Sequence, residues 1–195
     1  TELADIIVQE TLPLCWGAIR KRHCATPKFA VIGYGKLGGK ELGYVSDLDL
    51  VYLYDDPDPD AEENYARLGQ RLNTWLSSQT SAGILFETDL RLRPNGDSGL
   101  LAVSVDSFRD YQLDKAWVWE HQALTRARFC AGDPAVGARF EEIRREILCR
   151  QRDLTKLKEE VVAMRRKMYD AHASKSETLF DLKHDPGGII DVEFI

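Results

Sequence analysis

The sequence predicts an α+β fold, a mixed β-sheet flanked by helices and followed by a helical C-terminal portion. Three observations carry that prediction. Short apolar runs bounded by turn residues fill much of the first half of the 195-residue chain, as strands do. Helical apolar spacing occurs on either side of the first two of these runs, over 2–22 and 61–79. From Ser107 onward the pattern turns helical almost to the end.

The elements follow in order. Leu3, Ile6, Ile7, Leu14 and Ala18 recur near helical spacing, so residues 2–22 read as a helix disturbed at Pro13. Phe29-Ala30-Val31-Ile32 is a short buried strand that enters a glycine-rich loop from Gly33 to Gly43. Asp47 to Tyr54 is a second strand, closed by the turn-rich run Asp55 to Asp60. Ala61 to Gln79 is a helix with Tyr65, Leu68, Leu72 and Trp75/Leu76 on its apolar face. Ile84 to Arg93 alternates as a third strand, with Phe86, Leu90 and Leu92 on one face and Glu87, Asp89, Arg91 and Arg93 on the other. Leu100 to Val103 is a short further strand. Helices are expected over about 107–129, 134–151 and 153–175. The last carries Leu154, Leu157, Val161, Met164 and Met168 as an apolar seam suited to a neighbouring helix. Trp117 and Trp119 are expected in the core. The closing stretch holds Pro186-Gly187-Gly188 and then a strand. The domain organisation expected is a core with its leading helix over 1–106, a helical portion over 107–178, and a closing turn and strand over 179–195 that starts a following domain. The ends of the chain read as those of a segment of a longer protein.

Composition narrows the function. A net charge of −6 opposes a broad electrostatic grip on nucleic acid; a nucleotide or a protein partner is the better expectation. No apolar run approaches membrane-spanning length, and no secretory signal is visible, so the expected location is cytoplasmic with no membrane partner. Cys15, Cys24, Cys130 and Cys149 are far apart and form no Cys-x-x-Cys pair, nor do the four histidines join them at zinc spacing; they read as reduced, mostly structural thiols.

Three features carry chemistry together: the loop Gly33-Tyr34-Gly35-Lys36-Leu37-Gly38-Gly39, the segment Ser46-Asp47-Leu48-Asp49-Leu50, and Asp89 within Glu87-Thr88-Asp89-Leu90-Arg91-Leu92-Arg93-Pro94. In a strand, positions two apart point the same way, so Asp47 and Asp49 aim at one spot while Leu48 and Leu50 face the core. Two neighbouring carboxylates repel unless a cation sits between them, and Mg²⁺ suits oxygen ligands while keeping positions open for substrate phosphates. Asp89, on the polar face of another strand, completes a three-carboxylate cluster able to hold two ions about an in-line phosphoryl displacement. Gly38 and Gly39 let backbone N–H groups approach phosphate oxygens. Singly, each feature has a plainer reading: a solvated turn, a tight glycine turn, a salt-bridged strand edge at Asp89. Their order along the chain favours the joint reading.

Gly33-x-Gly35-x-x-Gly38 after an apolar strand also matches a dinucleotide-binding fingerprint in form. That fingerprint needs a helix crossing back to a parallel strand, and about a dozen residues to do it. Only Lys40 to Ser46 separate Gly39 from the Asp47 strand, which leaves no room.

The order Gly-Gly, short loop, Ser-Asp-x-Asp and a later strand Asp resembles the DNA-polymerase-β-like nucleotidyltransferase superfamily. The longer string from Gly33 to Val51, with Asp89 to Pro94, Trp117 to Arg128, Asp181 to Gly188 and Asp191 to Phe194, is similar to the glutamine-synthetase adenylyltransferase family. That resemblance implies an ATP-using enzyme that moves AMP to a tyrosine of glutamine synthetase, releasing pyrophosphate, with Mg²⁺ as cofactor, two ions in the expected site. It implies glutamine synthetase as protein substrate and PII-type signalling proteins as partners of the full-length enzyme. The family is bifunctional, its other half removing AMP by phosphorolysis. The Gly-Tyr-Gly-Lys start and the Trp-Glu-His-Gln-Ala-Leu-x-Arg-Ala-Arg segment resemble the attaching half; the removing half and a non-catalytic nucleotide-sensing module stay as alternatives. Intact carboxylates at 47, 49 and 89 speak against the module. By the family pattern Asp47, Asp49 and Asp89 are metal ligands and catalytic residues, with Asp89 beside the attacking oxygen. Gly38, Gly39 and Ser46 belong to the nucleotide site. Lys36, Arg91, Arg93 and Lys183 are phosphate contacts, with structural pairing or a structural turn as the alternative for each. Of Arg126 and Arg128, at most one is expected to reach the site.

Overall fold

The computed structural model describes residues 1–172, 174 and 178–194. It is a mixed sheet of β1 (Phe29–Gly33), β2 (Leu48–Tyr54), β3 (Thr88–Asp89), β4 (Ala102–Ser104) and β5 (Arg128–Gly132). The order is β3-β2-β1-β5, with β4 also on β2. β1 runs antiparallel to β2 and β5, while β3 and β4 pair parallel with β2. The antiparallel β1–β2 pair removes the parallel crossover of a dinucleotide fold, as the short loop required.

Both faces of the sheet are covered, so β1 and most of β2 are apolar throughout. On one face Val31, Leu50 and Tyr52 pack with Val8, Leu12 and Trp16 of α1 (Glu2–Gly17) and Tyr65, Leu68 and Leu72 of α3 (Ala61–Ser77). On the other face Ile32, Val51 and Leu53 meet Phe108 of α4 (Val105–Asp114) and Phe140, Ile143 and Ile147 of α6 (Pro134–Cys149). At roughly 1.5–3 kcal/mol per fully buried aliphatic or aromatic side chain, these two layers are the main favourable contribution to the fold. The one-turn α2 (Gly35–Gly38) follows β1; α5 (Val118–Leu124), α7 (Leu154–His172) and α8 (Ile189–Glu193) complete the helices.

Several expectations need correction. α1 ends at Gly17 rather than 22, and it runs on through Pro13. Its buried face is Ala4, Val8, Leu12, Cys15 and Trp16, while Leu3, Ile6 and Leu14 are exposed; small Ala4 and Cys15 sit where the helix lies against the sheet. The strand expected over 84–93 shrinks to Thr88–Asp89. There the Asp89 carboxylate accepts the Arg91 amide at 2.8 Å, and this Asx turn bends the chain out of the sheet. Leu90 then packs with one core layer and Leu92 with the other. The helix expected over 107–129 is α4, α5 and the strand β5. α5 stops because Arg144 takes the Leu124 and Thr125 carbonyls at 2.7 and 2.6 Å. Trp117 is 61% exposed, with the Lys167 ammonium 5.6 Å from its ring centroid, and Trp119 is half-buried. Leu157, Val161, Met164 and Met168 of α7 are only half-covered and Leu154 is exposed; residues 173 and 175 of the expected helix lie outside the described residues. The expected closing strand is helix α8, with Ile195 outside the described residues. Asp191 accepts from the Gly187 amide and from Arg165, which anchors that helix start. All four cysteines are free thiols.

Candidate active site

The sheet brings the three aspartates together through register. Leu48 is buried, so its neighbours Asp47 and Asp49 project the opposite way. β3 pairs with β2 so that Leu48 stands opposite Thr88 and Asp49 opposite Asp89, and the Leu48 amide donates to the Glu87 carbonyl at 2.9 Å. Carboxylate oxygens of Asp47, Asp49 and Asp89 all lie within 4.8 Å of one another, Asp47 exposed and the other two half-buried. Beside them opens a pocket of about 500 Å³ lined by Asp47, Asn73, Thr88, Asp89, Arg91 and Arg93, among others.

The three carboxyls are not equivalent. Burial, reinforced by the charges of Asp47 and Asp89, pushes Asp49 up to about 6 from an ordinary 3.8, with Lys183 and Arg91 pulling it down. The Asp49 carboxylate accepts no hydrogen bond from the described residues, while its backbone carbonyl accepts the Tyr34 amide at 2.9 Å. Asp89 is held below the ordinary range, chiefly by the hydrogen bonds of Arg91, whose Nε lies 3.1 and 2.9 Å from its two oxygens. A cluster of three hard oxygen donors, one of them driven towards protonation by its neighbours, has the donor chemistry of a Mg²⁺ site.

The other expected residues divide. Gly38 and Gly39 spend their amides on the Tyr34 and Gly35 carbonyls at 2.8 and 3.0 Å, so those N–H groups do not face a phosphate here. Gly38 is required by packing, since a Cβ there would sit 2.1 Å from the Arg126 carbonyl oxygen. Ser46 Oγ accepts from the Gly43 amide at 3.1 Å and closes the loop before Asp47. Lys36 is exposed on α2. Arg91 covers Asp89, whereas Arg93 lines the pocket but donates to the Leu90 carbonyl at 2.7 Å and so braces the 90–99 loop. Lys183 lies on an exposed turn, and its charge reaches Asp49. Arg126 bridges Glu41 and Glu193, at 3.3 Å to Glu41, against the backbone of Gly39. Arg128 turns away to Asp5 at 2.8 Å and to the Leu37 and Gly38 carbonyls. Since α5 has ended before both arginines, strand and loop geometry rather than a helical face decides where they point.

Sequence reasoning missed Gly35. Its φ is +49°, and a Cβ would fall 2.2 Å from Asp49 Oδ2, so it is the glycine that lets the backbone abut the carboxylates. Its signal was present in the Gly-x-Gly of the loop. Asn73 was missed too: its Oδ1 accepts from Thr88 Oγ1 next to Asp89, and on an amphipathic helix rich in polar residues nothing in the sequence signals that contact.

Comparison with known proteins gives the family. Residues 1–143 match the family model described as glutamate-ammonia ligase adenylyltransferase. Over 193 residues the chain is 68% identical to the bifunctional glutamine synthetase adenylyltransferase/adenylyl-removing enzyme of Aromatoleum aromaticum, covering 99% of this chain and 20% of that protein. Proteins of the same description from Nitrosomonas eutropha and Chromobacterium violaceum are 62% and 57% identical over 195 residues, covering 100% of this chain and 21% and 22% of theirs. The chain thus spans about a fifth of the length of the curated relatives it matches. With 143 of its 195 residues inside the family model and a sheet that brings the motif aspartates together, this chain belongs to the glutamate-ammonia ligase adenylyltransferase family.

Proposed function

We propose that this chain carries the AMP-attaching active site of a bifunctional adenylyltransferase, moving AMP from ATP to a tyrosine of glutamine synthetase. The observation that carries the reading is the meeting of Asp47, Asp49 and Asp89 within 4.8 Å. The Gly33-Tyr34-Gly35-Lys36 start and the Trp119 to Arg128 segment favour attachment over removal. PII-type signalling proteins are the proposed regulators of the whole enzyme.

In this reading Asp47, Asp49 and Asp89 hold Mg²⁺, two ions at full occupancy. Such ions neutralise phosphate charge and stabilise the attacking and leaving oxygens. The tyrosine Oη attacks the α-phosphorus of ATP, the bond to the bridging oxygen breaks, and pyrophosphate leaves. Lys36, Arg91, Arg93 and Lys183 supply positive charge for the triphosphate. Gly35 keeps the space over Asp49 clear of a side chain. Arg91 must release Asp89 before that carboxylate can serve; its guanidinium is 73% exposed and free to swing to a phosphate. Asp89, once released, sits beside the attacking oxygen and accepts the phenol proton.

The deciding experiment supplies α-labelled ATP, Mg²⁺ and glutamine synthetase, and follows label into protein. Label in the synthetase is the expected result. Release of labelled ADP from adenylylated synthetase and phosphate, with no transfer from ATP, would assign the removing reaction instead.

A further inference from the structure

The outer side of α3 carries a basic groove that the transfer chemistry leaves unused. Arg67, Arg71 and Trp75 recur at every fourth residue of the helix, so they form one stripe roughly 12 Å long on its surface. The turn that follows α1 meets this stripe with Arg20 and Lys21, and together they line a groove of about 730 Å³. Among the described residues no carboxylate lines it.

The charge of this groove is not spent on the fold. Arg20 and Lys21 are exposed and Arg71 is half-buried, and none of these three side chains makes a hydrogen bond or ion pair with the described residues. A cation at a helix C-terminus commonly serves the carbonyls there, but Arg22 already does so for α1, donating to the Gly17 carbonyl at 2.9 Å. Arg67 has a partner in Glu63 one turn earlier, with both side chains more than half exposed. An exposed pair of that kind is weak and exchanges readily for another carboxylate. The surrounding chain has a net charge of −6, so the groove is a local exception to its composition.

The spacing suits a polypeptide. Arg67 and Arg71 stand about 6 Å apart along the helix axis, close to the separation of alternate side chains on an extended strand. Carboxylates at alternate positions of such a segment can each meet a guanidinium. Trp75, 46% exposed, adds an aromatic face of the kind enriched at protein interfaces.

The same helix joins the groove to the active site. Asn73, within the span of the stripe, lines the aspartate pocket and accepts from Thr88 next to Asp89. A helix with its side chains is about 10–12 Å across, so groove and pocket lie roughly one helix width apart. Three or four residues of extended chain cover that distance.

We propose that this groove docks an acidic segment of the protein that accepts AMP, holding it while a tyrosine near that segment enters the aspartate pocket. The proposal rests on the reading of this domain as one that modifies a protein. It deepens that reading by making the choice of acceptor depend on charge outside the pocket.

The test uses the full-length enzyme and glutamine synthetase, with binding measured separately from transfer. Arg20→Glu combined with Lys21→Glu should weaken binding of the synthetase by at least the roughly 2–30-fold that two exposed ion pairs are worth. KM for the synthetase should rise alike, with kcat and KM for MgATP unchanged. Binding by wild type should fall more steeply with added salt than binding by the doubly substituted enzyme, and polyglutamate should compete better against the former. Glu63→Gln, which frees Arg67, should tighten binding, a gain that a damaged fold cannot produce. Equal binding by wild type and the doubly substituted enzyme would overturn the proposal. Inorganic phosphate competing as well as polyglutamate at equal charge would also overturn it, because the groove would then hold a small anion. The transfer assay judges the underlying reading by itself: wild type that binds the synthetase through these cations yet passes it no label from ATP would support the groove and refute the AMP-attaching assignment.

Discussion

Replacing Asp49 by Asn should make the metal-free protein more stable. Asp49 has an ordinary value of 3.8 and is raised to about 6, first by burial and then by Asp47 and Asp89. A shift of about 2 units corresponds to about 3 kcal/mol of destabilisation once the group is ionised. The carboxyl is half-buried, so screening by water reduces this to about 1–1.5 kcal/mol. The sign follows from proton uptake: the folded state binds the proton more tightly than the unfolded one, so this residue costs nothing below about pH 4. The cost grows between 4 and 6 and is constant above. Asn keeps the shape and removes the charge, so the variant should melt higher than wild type by about 3–5 °C at pH 8 in EDTA, for a domain of this size. At pH 4 the two should converge. Adding Mg²⁺ should reverse the order, since ligand at a hundredfold excess over its dissociation constant stabilises wild type by about 2.7 kcal/mol and the variant by much less. A variant that melts well below wild type in EDTA at pH 8 would refute the electrostatic account and make Asp49 a structural residue.

Asp89→Asn should bind MgATP nearly normally while transfer falls by about 10²–10⁴-fold or more; a loss of less than about tenfold on the same preparation would remove Asp89 from the chemistry. Gly35→Ala should cost about 1–3 kcal/mol, because φ is +49° and the new Cβ would lie 2.2 Å from Asp49 Oδ2; weakened Mg²⁺ binding by calorimetry should accompany the lower melting temperature, and a neutral result would show that the backbone does not abut that carboxylate. A division of the chain at 106 would strip β5 from its partner β1, so we propose that the sheet-bearing unit runs to the end of α6. Limited proteolysis should therefore spare residues 107–149 and cut after Cys149 first; a stable fragment ending near 106 would restore the earlier boundary.

Asp47 and Asp49 of the candidate site were legible because their arrangement is local. Asp47 and Asp49 straddle a buried leucine, and alternation alone puts both carboxylates on one side. The Gly33–Gly39 loop was legible as a tight backbone approach, although which glycine makes it was not: Gly35 abuts Asp49, whereas Gly38 is packed beneath the Arg126 carbonyl. That assignment depends on atoms far away in sequence. The same limit explains β5. Arg128-Phe129-Cys130-Ala131-Gly132 has no strong strand pattern, and its place is set by pairing with β1 about a hundred residues earlier.

The sequence by itself determined the sheet's two central strands, the helix α3, the motif aspartates and the family, since each is written in nearby residues whose spacing repeats the geometry of the element. Only the tertiary structure decided that Asp49 and Asp89 stand in register across β2 and β3, that Arg91 lies over Asp89, and that His23 is buried with one nitrogen unpaired. Hydrogen-bond register, ion pairing and burial are properties of chain segments brought together from a distance, and no local pattern encodes the partner.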